Sequence, residues 1–384
     1  MKRFSIMVLG ALAIVMASCS KDIATVESGK NDWVVDVNLP VPLQLGTGVF
    51  TRAAIASEAD MIGKGFGFFA VDKYATDLTA DNGIELPDNV KATCNLIEDG
   101  TKVEFQFVNG NNLPVSYYYP LMNTRFYSFY GYHAHQSDAA EVPASKKTST
   151  RITVDVPVSR QLDILHGEAV VTDPQQGSNG MMYDGFNAAY VRKVGKPLMN
   201  FKHVTARVSI QATMASGQDE KDGISIAQIG VLEVPSSASL CIVDIENPAL
   251  NGTFVSDNGT RTPEGTPRYS AIPYSNIGIL TTTTTALNED VFLAPQTSPL
   301  KVRILYNVVK DGVAVNPQKE IIYELDPSKF NNARKGFEAG YHYTFNLVFY
   351  SPEEIKIEAT IEDYVNAFDN IEGGVAVVDP DTVF

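Results

Sequence analysis

Trp33-Val34-Val35-Asp36-Val37-Asn38-Leu39-Pro40-Val41-Pro42-Leu43-Gln44-Leu45 carries an apolar residue at every odd position, from Trp33, Val35 and Val37 through Leu39, Val41 and Leu43 to Leu45. The even positions hold Val34, Asp36, Asn38, Pro40, Pro42 and Gln44. A period of two kept over the whole run predicts a β-strand with one buried face. Pro40 and Pro42 lack the N–H groups that would serve one side of that strand, which predicts an edge position. Gly46-Thr47-Gly48 ends the run, and Thr51-Arg52-Ala53-Ala54 follows. An edge strand on a nickable loop is removable without rebuilding the rest. Its loss would leave an apolar groove with unpaired backbone groups, a template for strand addition. The run reads equally well as a permanent first strand.

The same alternation recurs along the chain, and helix signals are scarce. Phe66 and Phe68 with Ala70, then Val103, Phe105 and Phe107, then Ile152, Val154 and Val156 each mark a strand. So do Val208 with Ile210, Val302 with Ile304 and Tyr306, Tyr341 through Phe349, and Ile355 through Ile361. Strands with one wet and one dry face pair antiparallel and stack as sandwiches, so the fold class is all-β. Residues 172–195, rich in Gly, Asn and Gln without clean periodicity, read as a long connection and a domain boundary.

The N-terminus has its own signature. Lys2 and Arg3 precede an apolar run from Phe4 to Ala17, which closes on Met16-Ala17-Ser18-Cys19. The run is short for a spanning helix, and small residues before a cysteine suit lipoprotein signal peptidase. The expectation is a signal peptide over residues 1–18 and acyl chains on Cys19, tethering the protein to a membrane. At the far end, Gly373-Gly374 forms a hinge before Val375-Ala376-Val377-Val378, a β-prone segment suited to pair with another chain's groove.

Composition narrows the function. The chain has 384 residues and a formal charge of −15, with no cluster of Lys and Arg to offset it. That balance argues against nucleic acid as a partner. Apart from Cys19 there are two cysteines, Cys94 and Cys241, too few for a disulfide framework and read as buried thiols. No Gly-x-Ser-x-Gly, His-Glu-x-x-His or Cys-x-x-Cys is present, so the reading is no enzyme, no metal and no cofactor. His133 and His135 are spaced to share a strand face but have no third ligand nearby, and read as exposed turn residues. His203 reads as a structural, hydrogen-bonded histidine. Tyr117-Tyr118-Tyr119-Pro120 and Phe126 to Tyr132 could stack on sugar rings, but aromatics at this density are more often sandwich core.

Several stretches together resemble the fimbrillin family of Bacteroidetes, subunits and accessory proteins of the type V pilus. They are the leader, Phe50-Thr51-Arg52-Ala53, Gly65-Phe66-Gly67-Phe68-Phe69-Ala70, Tyr119-Pro120 with Phe126 to Tyr132, Asp163-Ile164-Leu165, Asn200 to Val208, and Ile357 to Tyr364. The resemblance implies two tandem transthyretin-like antiparallel β-sandwich domains, over residues 53–195 and 196–384, behind a propeptide of residues 19–52. It implies lipidation at Cys19, outer-membrane location, and cleavage by an arginine-specific protease between Arg52 and Ala53. The removed strand is then replaced by the tail of another fimbrial subunit, and the assembled fimbrium displays an adhesive surface to a host or bacterial ligand. The alternatives are a monomeric glycan-binding surface lipoprotein and an adhesive tip or anchor subunit.

Overall fold

The computed structural model describes residues 40–47, 62–80, 87–97, 102–120, 125–134, 142–157, 162–171, 174–176, 182–215, 223–232, 237–255, 269–272, 278–287, 291–329, 335–351 and 355–363. They are almost wholly strands and turns, with a single short α-helix, Ala188–Lys193, among the described residues.

Seven strands close into a barrel. In order around it stand Leu45–Thr47, Lys102–Phe107, Asp88–Ile97, Gly65–Asp72, Tyr127–His133, Leu165–Ala169 and Leu198–His203, which returns to Leu45–Thr47. Every pair is antiparallel except that last one, which is parallel. Strand alternation turns Phe66, Phe68, Phe105 and Phe107 to the inside, where they meet Phe201. Phe68 and Phe105 lie edge to face at 4.8 Å between ring centroids, and Phe66 meets Phe105 at 5.1 Å. Such pairs add about 0.5–1.5 kcal/mol beyond their area burial. Gly67 faces outward beneath Tyr132, and a Cβ there would overlap the ring.

Phe69 follows Phe68 and therefore faces the opposite way. It packs with Tyr130, Tyr132, Ile152, Val154, Leu240 and Ile242 in a second cluster outside the barrel. That cluster is backed by a four-stranded sheet in the order Phe254–Val255, Ser237–Asp244, Arg151–Pro157, Ser145–Lys147. The facing strand is adjusted by a bulge at Asn89, which adopts φ +56° and accepts a hydrogen bond from the Tyr132 hydroxyl at 2.8 Å. Segments from both sides of Gly195 share these sheets. Leu165–Ala169 pairs with Leu198–His203, and Arg151–Pro157 with Ser237–Asp244.

A third core lies between two further sheets. One runs Thr285–Ala286, Ala206–Met214, Tyr341–Phe349, Ile355–Asp363, with Val291–Leu293 also on Ala206–Met214. The other runs Tyr269–Ile272, Gly223–Leu232, Leu300–Lys310, Val313–Leu325. The alternating residues Val208, Ile210, Tyr343, Phe345, Val302 and Ile304 fill the space between them. A bulge between Ile226 and Gln228 lets Ile226 and Ile229, three apart, both point inward. Ala206–Met214 and Tyr341–Phe349 run parallel, an addition to the otherwise antiparallel pairing.

The all-β class and the alternating strands stand as read from the sequence. Two local expectations change. Residues 172–195 are not only a connection: they hold the strand pair Gln175–Gln176 with Met182–Tyr183, and the helix. Asn187 caps that helix, its Oδ1 accepting the Tyr190 N–H at 2.8 Å. His133, expected in an exposed turn, is the buried end of a barrel strand, with Nδ1 2.8 Å from the Gly65 carbonyl oxygen.

Candidate functional site

The segment 40–47 occupies a slot in the barrel wall. Val41 and Pro42 stand opposite Tyr119 and Tyr118, antiparallel, and the Leu43 N–H donates to the Tyr117 carbonyl at 2.8 Å. Three residues later the segment has neighbours on both sides. Leu45 and Gly46 face Phe105 and Glu104 in an antiparallel ladder, while Gly46 and Thr47 face Leu198 and Met199 in a parallel one. The Gly46 N–H donates to the Pro197 carbonyl at 2.9 Å.

The expected edge position therefore holds for Val41–Pro42 and fails for Leu45–Thr47. The prolines explain both halves. A strand without N–H groups on one side takes a single partner, and past Pro42 the full set of donors returns. Val41, Leu43 and Leu45 are buried in the aromatic core with Phe66, Phe68, Phe105 and Phe201, Leu45 completely so. Pro40, Pro42 and Gln44 are exposed. The wall is continuous only because this segment is in it.

One further contact crosses the slot. Gly46 belongs to the outward-facing set, yet it is buried. Lys196, just before the Leu198–His203 strand, lays its aliphatic stem over Gly46 and ion-pairs with Glu104 on the strand beyond. A Cβ at position 46 would lie 3.0 Å from Lys196 Cε and 2.9 Å from Leu198 Cδ2. Both partners are only partly exposed, at 30% and 21%. Reading the sequence alone missed Lys196 and Glu104. Gly46, where the alternating run ends, is the one available signal, because glycine inside a strand marks close approach by a neighbour.

Of the residues singled out from the sequence, Val41, Leu43 and Leu45 come together here. Trp33, Val35, Val37, Leu39, Cys19, Arg52, Ala53, Val375, Ala376, Val377 and Val378 lie outside the described residues. The aromatic cluster is core: Tyr119, Phe126, Tyr127, Phe129, Tyr130 and Tyr132 are buried, and Tyr118 faces out. Burial raises the Tyr119 phenol well above its ordinary range and pushes Tyr127 to about 12.

The other polar groups serve the fold. His203 Nδ1 lies 2.8 Å from Asp163 Oδ2, and Thr205 Oγ1 donates to Asp163 Oδ1 at 3.0 Å, all buried. His166 Nε2 lies 2.9 Å from the Ile242 carbonyl oxygen. Cys94 and Cys241 are both buried. No group of three or more His, Cys, Asp or Glu spaced to hold a metal occurs among the described residues.

A family model described as fimbrillin-like matches residues 51–363. No curated protein sequence matches the chain. Among solved structures, a candidate cell adhesion protein from Bacteroides uniformis is similar at 15% identity, over 85% of this chain and 98% of that one, with a TM-score of 0.48. The fimbrial anchor protein Mfa2 from Porphyromonas gingivalis matches at 11% identity over 88% and 99%, TM-score 0.36. The tip fimbrial protein Mfa3 from the same organism, C-terminally truncated, matches at 8% over 85% and 100%, TM-score 0.37.

Proposed function

The chain belongs to the fimbrillin-like family, and on that premise we propose that it is a non-catalytic, cell-surface fimbrial subunit, exported as a Cys19 lipoprotein and activated by arginine-specific cleavage. Cutting between Arg52 and Ala53 releases the strand that fills the barrel slot. A strand from another fimbrial subunit then takes its place, and the Val375–Val378 segment does the same for a neighbour's groove. The adhesive surface is carried outward by the assembled fimbrium.

The observation that carries this reading is the seating of residues 41–47. A short segment at one end of the chain supplies three core side chains and the backbone link between two barrel strands. Withdrawing it would expose an apolar slot with two unpaired edges, the geometry that strand addition requires. The family match also begins at residue 51, beside Arg52, so this segment lies outside it.

The test is limited digestion of the leader-free protein with an arginine-specific protease, followed by N-terminal sequencing and electrophoresis. The expected result is one early cut exposing Ala53, then multimers that resist detergent, neither of them seen with Arg52→Ala. Resistance of the folded chain at Arg52 would overturn the activation step. Deleting residues 373–384 separates roles: a stalk subunit loses assembly, and a tip subunit still caps a fimbrium.

A further inference from the structure

We propose that the Lys196–Glu104 pair is a clasp that reads the donor strand, admitting only Gly or Ala at the position where it crosses. The proposal rests on the strand-exchange reading and adds the identity rule for the partner. In the resident segment the slot takes apolar side chains at 41, 43 and 45, then a glycine at 46. The ion pair joins one flanking strand, through Glu104, to the residue two before the other, so it spans whatever lies between them. A Cβ at 46 meets only the flexible ends of Lys196 and Leu198, which can give slightly, so alanine fits. A branched side chain needs the space that the Lys196 stem and the Leu198 tip occupy, and the pair must open to admit it.

The donor is therefore a strand reading apolar-x-apolar-x-apolar-Gly/Ala. Residues 364–384 of this chain do not contain that pattern in the direction of residues 41–46. Ile371-x-Gly373-x-Val375-Ala376 comes nearest, and it leaves the Leu43 pocket to a glycine. Run in reverse, Gly374 meets the clasp with Val375 and Val377 in the first two pockets, but Asp379 falls in the third. The partner whose strand fills this slot is a different subunit, not a second copy of this chain.

The experiment uses the full chain, cut at Arg52 and incubated with excess labelled synthetic peptide. The probes are residues 33–47, the same peptide with Gly46→Val, and residues 371–384. Capture of the first should exceed the second by roughly five-fold, the scale of a partly exposed ion pair. In a Lys196→Ala/Glu104→Ala chain the two should tie or reverse, because valine favours strands and glycine does not. The tail peptide should be captured least.

Equal capture of the first two peptides by the unaltered chain would overturn the clasp, as would an unchanged preference in the doubly substituted chain. Capture of the tail peptide as readily as residues 33–47 would overturn the assignment to a different subunit. Capture of no peptide would overturn the strand-exchange reading, and the clasp is then judged in the uncut chain. There Gly46→Val should lower the melting temperature in the parent and much less in the Lys196→Ala/Glu104→Ala background. Equal losses in both would overturn it.

Discussion

Val41 stands directly opposite Tyr119 in the ladder that starts the slot, and the Tyr119 hydroxyl is buried with no hydrogen-bond partner among the described residues. An unpaired buried hydroxyl costs on the order of 1–3 kcal/mol in lost hydration. Tyr119→Phe keeps the ring against Phe129, whose centroid is 6.1 Å away, and removes that cost. The variant should be more stable than the parent by about 1 kcal/mol, read as a higher denaturant midpoint with unchanged slope. A loss of stability would show that the hydroxyl is satisfied.

Leu45 tests the seating of the segment. It is completely buried at the point where the wall closes, so Leu45→Ala should cost about 2–5 kcal/mol, the range of a leucine truncated in a core. Gln44→Ala, one residue away on the exposed side, should change stability by less than about 0.5 kcal/mol. Similar values for the two would contradict the alternation.

His166 gives the protein an acid-side weakness. Burial lowers its imidazole to about 4 from 6.5, helped by Lys202 and opposed by the hydrogen bond to Ile242. Between those values the unfolded chain binds a proton that the folded one refuses. Stability should therefore fall with falling pH across this window, by about 1.4 kcal/mol per unit at the steepest. Neighbouring Glu168, raised by burial, contributes a slope of the opposite sign. The comparison is thus between the parent and His166→Gln, whose stability should be flatter between pH 6.5 and 5. Parallel curves would refute the assignment.

Cys94 and Cys241 should resist alkylation in the folded protein. Both are fully buried, and burial pushes the Cys241 thiol to about 11, far from the reactive thiolate at neutral pH. Peptide mapping after a maleimide pulse should find both unmodified without denaturant and both modified with it. Modification of either in the native protein would mean that its strand opens readily.

The strands were legible because their signal is local. Phe66 and Phe68, or Tyr343 and Phe345, declare a buried face within a few residues, and the structure buries them. What could not be read is which strands meet. Nothing near Leu198 says that it will lie beside Gly46, and nothing near Arg151 announces its 2.6 Å ion pair with Asp244. Nor does anything near His133, which lacks a third metal ligand and reads as an exposed turn, disclose that the Gly65 carbonyl gives it a partner inside. The helix at Ala188–Lys193 left a faint trace, Asn187 at one end and Gly195 just past the other, but six residues are too few for a visible period. The slot itself was half legible. Alternation gave Val41, Leu43 and Leu45, while the clasp over Gly46 joins residues far apart in sequence.

That distance has a consequence for how the protein folds. Gly46 pairs with Leu198, about 150 residues further along the chain. Contacts of such long range form slowly, because a large loop must close before they contribute. The other barrel pairs close shorter loops, Asp88–Ile97 with Lys102–Phe107 as a hairpin among them. The first barrel strand in chain order is thus among the last to be enclosed on both sides, and until Leu198–His203 docks the nascent barrel has an open seam beside it.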